Sequence, residues 1–181
     1  MELFKGRPED ESGRPEKELR VYDLLDSLGT EYCRIDHAPA SGDDPALLEE
    51  IEKSLDAEIC NNLILANRQR TKFYMMMIPS CKRFRSSDIS KQAGSSRLHF
   101  AEPEYMEELI DCTPGSASVM GLMNDKEKRV QLLVDEDVLN AEYVGCHPCI
   151  NTSSLRIRSE DLFGKVLEAM GHDYITVHAD E

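Results

Sequence analysis

The sequence has neither a long apolar run nor a basic-then-apolar segment at its start. Its longest apolar stretch covers only residues 73–79, whereas a helix that spans a bilayer needs about 20 apolar residues. The first absence argues against a membrane-spanning protein, and the second argues against secretion. We therefore expect a cytoplasmic protein with no membrane partner.

Nucleotide-binding signatures and repeats are also absent. Neither GxGxxG nor GxxxxGK(S/T) occurs in the 181 residues, so neither a dinucleotide fold nor a phosphate-cradling loop is indicated. The six cysteines lie scattered in a chain that is long enough for a full-sized core. We expect them to be reduced thiols and not a disulfide framework.

The charge balance argues against general nucleic-acid binding. The formal net charge is −14, and contacts from Lys and Arg to phosphates supply most of the non-specific affinity for nucleic acids. An enzyme that holds only the end of a nucleic acid remains compatible with this charge. Two basic clusters, which are either solvated turns or phosphate contacts, comprise Arg68, Arg70 and Lys72, and Lys82, Arg83 and Arg85.

The composition predicts one globular domain. Hydrophobic residues make up 40% and charged residues 31% of the chain, which is ordinary for a domain of this size. The first 16 residues are highly charged and hold two glycines and two prolines, so we expect residues 1–16 to be flexible. The domain itself is predicted to cover residues 17–181.

Short helices alternate irregularly with short strands along this domain. Predicted helices cover residues 17–28, 45–55, 87–93, 103–110, 138–141 and 159–170. Predicted strands cover residues 31–36, 59–66, 73–79, 97–101, 119–123, 130–135, 153–158 and 174–177, of which 59–66 and 73–79 form the clearest hairpin. This pattern favours an α+β fold with a mixed, strongly bent sheet over a doubly wound parallel sheet.

The first segment with unexpected polar residues opens an otherwise apolar strand. Asn61 and Asn62 follow Cys60, and neighbouring side chains of a strand point to opposite faces. One of the two amides must therefore face inward, where it needs a hydrogen bond. It is either a structural clip or a contact to a ligand.

The second segment runs from Thr113 to Ser118. Its Pro114-Gly115 step followed by small hydroxyl residues predicts a tight loop whose backbone a ligand can approach closely. Exposed backbone N–H groups suit a carboxyl, ester or phosphate oxygen. A simple turn between a helix and a strand explains the same residues.

The third segment places His147 in a loop between Gly145 and Pro148, with Asn151-Thr152 close behind. An imidazole there is either a hydrogen-bonding partner of a substrate or a structural side chain. Cys146 and Cys149 form the chain's one CxxC, but loop and strand residues follow it where a redox motif needs a helix. A structural zinc site would need a second such pair.

Taken together, these segments resemble the YbaK/prolyl-tRNA synthetase-associated domains, in particular the stand-alone editing proteins. The resemblance covers roughly residues 17–177. The matching segments are Asn62-Leu63-Ile64-Leu65, Leu98-His99-Phe100-Ala101, Thr113-Pro114-Gly115-Ser116, residues 121–126, residues 145–148 with Asn151-Thr152, and Gly171-His172. The resemblance implies a YbaK-like single domain with a bent, barrel-like mixed sheet flanked by short helices.

The resemblance also implies an activity, which is hydrolysis of the ester between a mischarged small amino acid, typically alanine, and the tRNA for proline. The implied partner is an aminoacyl-tRNA, with prolyl-tRNA synthetase left open as a second partner, and no cofactor or metal is implied. The implied catalytic positions are Asn61, Gly115 and His147. The implied substrate-binding positions are Asn62, Ser116, Gly121, Gly145, Pro148, Asn151 and Thr152.

Within this site, the resemblance assigns the Gly115 loop to the carbonyl region of the ester. His147 would lie beside the terminal adenosine or the amino acid, and Asn62 would match the family's asparagine. The pocket is expected to be small enough to exclude proline, because a synthetase pocket built for proline cannot reject the smaller alanine by more than a few kcal/mol.

Two positions depart from the family pattern. The family's functional lysine falls on Asn61, which offers a neutral dipole in place of a positive charge. The loop pattern Gly-x-x-x-Pro ends here in Val119. In the predicted hairpin, position 61 pairs near residues 76–78, so Lys72 lies too far along the strand to replace the lysine, and Arg68 and Lys82 stay open.

Three functions are therefore compatible with the sequence. The first is an active deacylase with a modified site. The second is a catalytically silent module that binds aminoacyl-tRNA ends or a small amino-acid-like ligand. The third is a thiol or metal function at Cys146 and Cys149. The amino acid that is edited, the tRNA features that are read and the oligomeric state are left open.

Overall fold

The computed structural model describes residues 1–40 and 44–180; residues 41–43 and residue 181 of the predicted domain lie outside the described residues. The strands are β1 (Phe4–Lys5), β2 (Tyr32–Asp36), β3 (Asn61–Asn67), β4 (Phe73–Ile78), β5 (Leu98–Phe100), β6 (Val130–Asp135), β7 (Tyr143–Cys146), β8 (Ser153–Arg158) and β9 (Tyr174–Val177). The helices are α1 (Glu16–Ser27), α2 (Pro45–Leu55), α3 (Ser86–Gln92), α4 (Pro103–Ile110), α5 (Glu136–Asn140), α6 (Ser159–Asp161) and α7 (Leu167–Ala169).

These strands form two sheets. An antiparallel sheet has the order β1-β2-β8-β7, and a mixed sheet has the order β5-β3-β4-β6-β9, in which β4, β6 and β9 run parallel. An isolated bridge between Ile59 and Gly145 connects the two sheets. The α+β fold is confirmed, and the bent sheet of the sequence prediction is divided into two sheets that meet at this bridge.

The hairpin of β3 and β4 forms the centre of the mixed sheet. Its register pairs Asn61 with Ile78, as the sequence predicts. All of β4 is buried, because apolar clusters cover both faces of the sheet. The even positions of β3, such as Ile64, join the larger cluster, whereas the odd positions, such as Leu65, join a smaller one. Asn61 and Asn62 therefore belong to different faces.

Other predicted helices and strands are also confirmed, with small shifts at their ends. Asp44 caps α2 as expected, since its side chain accepts a hydrogen bond from the backbone N–H of Leu47 at 3.1 Å. The predicted helix over 159–170 is present but contains a π-helical stretch, Leu162–Val166, in which Gly164 leaves the helical backbone conformation. Among the described residues, no helix has both the length and the apolar character needed to cross a membrane.

Two sequence-based assignments are wrong. Residues 119–123 were predicted as a strand, but Val119–Asn124 is a 3-10 helix. A short apolar run does not distinguish a strand from a buried helical turn, and Gly121 lets this turn approach Ile110 closely. Strand β7 was not predicted, because its four residues include a glycine and lack a clear alternation of polar and apolar side chains.

The N-terminal segment, for which the sequence predicts flexibility, makes specific contacts with the domain. Phe4 and Lys5 pair with β2. Arg7 forms ion pairs with Asp23 and Asp26 of α1, and Arg14 binds Asp36. The division of the chain at residue 16 stays a prediction.

Candidate functional site

The residues before β3 and the end of β7 lie side by side at the junction of the two sheets. The backbone N–H of Cys60 donates to the carbonyl oxygen of Gly145 at 3.3 Å, and the N–H of Gly145 donates to Glu58 at 2.9 Å. The bridge between Ile59 and Gly145 is parallel, so the residues just before Asn61 lie beside the residues just before His147. Two of the three predicted segments are thus brought together.

His147 is held in one tautomer by a backbone carbonyl. Its Nδ1 lies 3.1 Å from the carbonyl oxygen of Ser153. Because a carbonyl only accepts hydrogen bonds, Nδ1 carries the hydrogen and Nε2 presents its lone pair. Burial lowers the pKa of the imidazole below its ordinary value of 6.5, the carbonyl of Ser153 opposes this shift, and nearby His37 adds to it. His147 is therefore a neutral hydrogen-bond acceptor at pH 7.

A second histidine, which the sequence reasoning did not select, stands behind His147. The Nδ1 of His37 lies 2.7 Å from the carbonyl oxygen of Ala38, so its Nε2 accepts the hydroxyl hydrogen of Ser154 at 2.9 Å. The Ser154 Oγ is in turn 3.3 Å from Nδ1 of His147. The pairing of β2 with β8 sets Ile35 opposite Ser154, and only this long-range register brings the two histidines together.

The loop around Gly115 is a tight turn with free backbone donors. Gly115 has a φ of +88°, which favours glycine. The backbone N–H and the hydroxyl of Ser116 both donate to the carbonyl oxygen of Thr113. The N–H groups of Gly115 and Ala117 make no hydrogen bond with any described residue. They are available for an oxygen of a ligand.

This loop is tied directly to the His147 segment. The hydroxyl of Ser118 donates to the carbonyl oxygen of His147 at 2.5 Å and accepts from the N–H of Met120 at 3.1 Å. A Cβ atom added to Gly115 would lie 3.9 Å from Nδ2 of Asn151. Ser118 therefore holds the end of this loop through hydrogen bonds. By the resemblance described above, the family has a proline at the next position, where this chain has Val119.

Asn62 presents an unused acceptor to the same region. Its Nδ2 donates to the carbonyl oxygen of Cys60 at 3.0 Å, but its buried Oδ1 has no hydrogen-bond partner among the described residues. An unpaired buried acceptor is costly, which favours a ligand contact. Asn61 lies on the opposite face of β3 and is exposed.

None of the three cations considered as replacements for the family lysine is placed to act at Asn61. Lys72 lies opposite Asn67, and Arg68 follows in the turn, so both are about six residues, or roughly 20 Å, from Asn61 along β3. Lys82 is bound by Asp135 at 2.8 Å and by Asp137 at 2.7 Å. None of these three cations therefore supplies a positive charge at Asn61.

Several other predicted site residues have structural roles in this fold. A Cβ atom on Gly145 would lie 2.7 Å from the carbonyl oxygen of Glu58, and one on Gly121 would lie 2.7 Å from that of Ile110. Ser116 closes its own turn, as described above.

The remaining predicted positions line the His147 segment. Pro148 is buried behind His147. Asn151 donates its Nδ2 to the carbonyl oxygen of Ala40 at 3.4 Å. The carbonyl oxygen of Thr152 accepts from the N–H of His37 at 3.0 Å. Asn151 and Thr152 thus contact the chain around His37 through polar groups.

The two cysteines of the CxxC pair, Cys146 and Cys149, do not have the environment of reactive thiols. Burial raises the pKa of Cys146 to about 12, so this thiol stays protonated. The neighbouring thiol of Cys112 and burial both raise the pKa of Cys149. Among the described residues, no group of three or more His, Cys, Asp or Glu side chains is placed to hold a metal ion.

The three segments thus contribute a neutral imidazole, free backbone donors and an unpaired amide oxygen. The sequence model of the aminoacyl-tRNA editing domain family matches residues 43–164. This chain belongs to that family, whose members are trans-editing aminoacyl-tRNA deacylases.

Two named relatives can be aligned with 70% or more of this chain. The prolyl-tRNA editing protein ProX of Acetoanaerobium sticklandii is 27% identical over 154 residues, which cover 83% of this chain and 90% of ProX. The prolyl-tRNA synthetase associated domain-containing protein 1 of Danio rerio is 22% identical over 128 residues, covering 70% of this chain and 68% of that protein.

Solved structures confirm the fold. A crystal structure of a candidate trans-editing enzyme for prolyl-tRNA synthetase superposes with a TM-score of 0.67 at 16% identity and covers 92% of this chain and 98% of that chain. A hypothetical protein superposes with the same TM-score at 18% identity, covering 90% of this chain and 99% of its own.

Proposed function

We propose that this protein hydrolyses the ester that joins a mischarged small amino acid, alanine first, to the tRNA for proline. The observation that carries the proposal is the hydrogen bond from Ser118 to the backbone carbonyl of His147, which ties the Gly115 loop to the residue that bears the neutral imidazole. Asn62 adds a buried acceptor without a partner on a strand that adjoins this segment. Acceptor, donors and base are the groups that ester hydrolysis uses.

Each group has a defined part in the reaction. The free N–H groups of Gly115 and Ala117 bind the carbonyl oxygen of the ester and stabilise the negative charge that it acquires. Nε2 of His147 takes a proton from the attacking water, whose oxygen forms a bond to the carbonyl carbon. The bond to the ribose oxygen then breaks, that oxygen receives the proton, and free amino acid and tRNA are released. Asn62 accepts a hydrogen bond from the amino group of the amino acid.

The exposed amide at position 61 favours one alternative. A cation near the substrate phosphate or the developing oxyanion would strengthen its binding, and Asn61 supplies none. A silent module that only binds the aminoacyl end would keep the positioning groups and lose hydrolysis. This second candidate differs from the first only in whether the ester is cleaved.

A deacylation assay separates the two candidates. Purified protein is incubated with alanyl-, seryl-, cysteinyl- and prolyl-tRNA, and the remaining ester is measured over time. We expect alanyl-tRNA for proline to be cleaved faster than in buffer and prolyl-tRNA to be spared. If no ester is cleaved faster than in buffer at high protein concentration, the deacylase is wrong, and retained binding of aminoacyl-tRNA then supports the silent module.

A further inference from the structure

Unpaired positive charge collects at the turn of the β3–β4 hairpin, at the opposite end of β3 from Asn61. Arg68 lies in the turn, and the pairing of Asn67 with Leu98 sets Arg97, the residue just before β5, level with it. Both arginines are exposed, and neither makes an ion pair with a described residue. Arg70 differs, because it is bound to Glu102.

Arg97 joins two neighbouring hollows into one groove. The first is lined by Arg68, Arg97 and His99, together with Gln69, Ser96 and the paired Arg70, and the second by Lys91, Arg97 and serine side chains. No aspartate or glutamate is among the described residues that line either hollow. In a chain with 35 acidic and 21 basic residues, a groove with only positive and neutral side chains is unexpected.

We propose that this groove, defined by Arg68, Lys91, Arg97 and His99, binds the phosphate backbone of RNA. Arginine and lysine side chains that have no acidic partner are free to replace the counterions of phosphates, and the exposed Ser96 supplies a neutral donor.

The position of the groove indicates which part of the RNA it holds. The groove and Asn61 lie at opposite ends of β3, roughly 20 Å apart. An RNA whose 3′ end reaches the His147 region would place phosphates further from that end over the groove. The identification of this RNA as tRNA rests on the proposed function, whereas the groove's affinity for RNA phosphates does not.

Binding of uncharged tRNA tests the groove without any catalysis. Fluorescence anisotropy of labelled tRNA for proline is measured across a range of salt concentrations for the wild type and for Arg68→Glu/Arg97→Glu. The matched control, Lys53→Glu/Lys126→Glu, changes the net charge equally at exposed basic residues outside the groove. Thermal unfolding verifies that both variants fold.

The groove variant is expected to bind at least about tenfold more weakly, and the slope of log K against log salt to fall by roughly 1.5–2. The control should change either value by less than about twofold. Equal losses in both variants, or no loss in the groove variant, would overturn the proposal. So would groove-dependent binding to vesicles of anionic lipid with no binding to tRNA.

Hydrolysis of two substrates separates this inference from the proposed function. If the protein is a deacylase, the groove variant should raise KM for aminoacyl-tRNA and leave cleavage of aminoacyl-adenosine, which lacks the RNA backbone, unchanged. If the wild type cleaves neither substrate, the proposed function fails, while the anisotropy result still decides whether the groove binds RNA.

Discussion

The two sides of the site differ in how completely their polar groups are satisfied. On the side of β7 and β8, the hydrogen bonds of His147 and its neighbours to Ser118, Ser153 and Ser154 fix the ring and its backbone. On the side of β3, the Oδ1 of Asn62 is buried without a partner, and Asn61 is exposed. The side of β7 and β8 is held by hydrogen bonds within the protein, whereas the side of β3 has a buried acceptor with no partner among the described residues.

This difference separates two requirements of catalysis, which are the positioning of the reacting groups and the stabilisation of negative charge. The hydrogen bonds around His147 hold a base and a turn in place before any substrate arrives, which is the condition for efficient catalysis. The start of β3 retains an acceptor for substrate but has a neutral amide at the position of the family lysine. We therefore expect a site with intact geometry and weakened stabilisation of negative charge.

The largest effect is expected from disrupting the junction of the two sheets at Gly145. A side chain at Gly145 meets the backbone of Glu58 and the side chain of Ile59, both 2.7 Å from an added Cβ. Gly145→Val should lower the free energy of unfolding by about 3 kcal/mol or more, because the backbone must move. Thermal and denaturant unfolding measure this loss.

A matched control is available close to the same strand. Ala141 lies just before β7, is exposed and has an extended backbone conformation that suits valine. Ala141→Val adds the same type of side chain and should change stability by less than about 0.5 kcal/mol. A similar loss in both variants would contradict a specific role for the contact between Gly145 and Glu58.

The second largest effect is expected at the imidazole. His147→Ala should lower the rate of deacylation about 100-fold, the usual contribution of a general base, while KM changes little. Single-turnover hydrolysis of alanyl-tRNA measures the rate. His178→Ala, which removes an exposed histidine just after β9, serves as the control, and an equal loss there would remove His147 from its proposed role.

The pH dependence of the rate gives an independent check. Burial lowers the pKa of His147 below 6.5, so the neutral, active form persists at pH 6.5 and the wild-type rate should fall only below that pH. His147→Ala should lose this acid limb. Because the unfolded imidazole binds a proton at higher pH than the folded one, the free energy of unfolding should also fall as the pH drops below 6.5.

Local signals predicted much of this architecture, and long-range register accounts for most of what they missed. The cap at Asp44 and the hairpin of β3 and β4 follow from neighbouring residues, so they could be predicted. The link between His37 and Ser154 depends on the pairing of β2 with β8, about 117 positions apart in the chain. No pattern in one sequence carries that information.

The glycines show a second limit of sequence reasoning. Gly121 and Gly145 match the family pattern and were predicted as substrate-binding residues, but each also makes a close backbone contact. A motif indicates that glycine is needed without indicating whether a ligand or another strand requires the space. Only the coordinates around each Cα separate these two reasons.

A smaller effect is expected from placing a positive charge at position 61, at the start of β3. Asn61→Lys should raise the deacylation rate about tenfold, since a positive charge near the developing oxyanion or a phosphate strengthens binding in the transition state. Lys72→Asn/Asn61→Lys keeps the net charge unchanged and should show the same gain, because Lys72 lies at the far end of β3. A rate unchanged in both variants would show that charge at position 61 does not limit the reaction.

The smallest effect is expected at His37, which contacts Ser154 and not the substrate. His37 takes the hydroxyl hydrogen of Ser154 and so directs it away from Nδ1 of His147. In His37→Ala that hydrogen is free to turn toward Nδ1 and to favour the tautomer whose Nε2 is protonated. The rate should fall about fivefold, equivalent to roughly 1 kcal/mol of hydrogen bonding.

His37→Gln separates this positioning role from simple packing. The Oε1 of glutamine can accept the same hydroxyl hydrogen, so this variant should keep most of the wild-type rate. The nitrogen chemical shifts of His147, measured by NMR, report the tautomer directly and do not depend on substrate. Equal loss of rate in both variants, with the tautomer unchanged, would contradict the role of His37 and leave the assignment of His147 as the base intact.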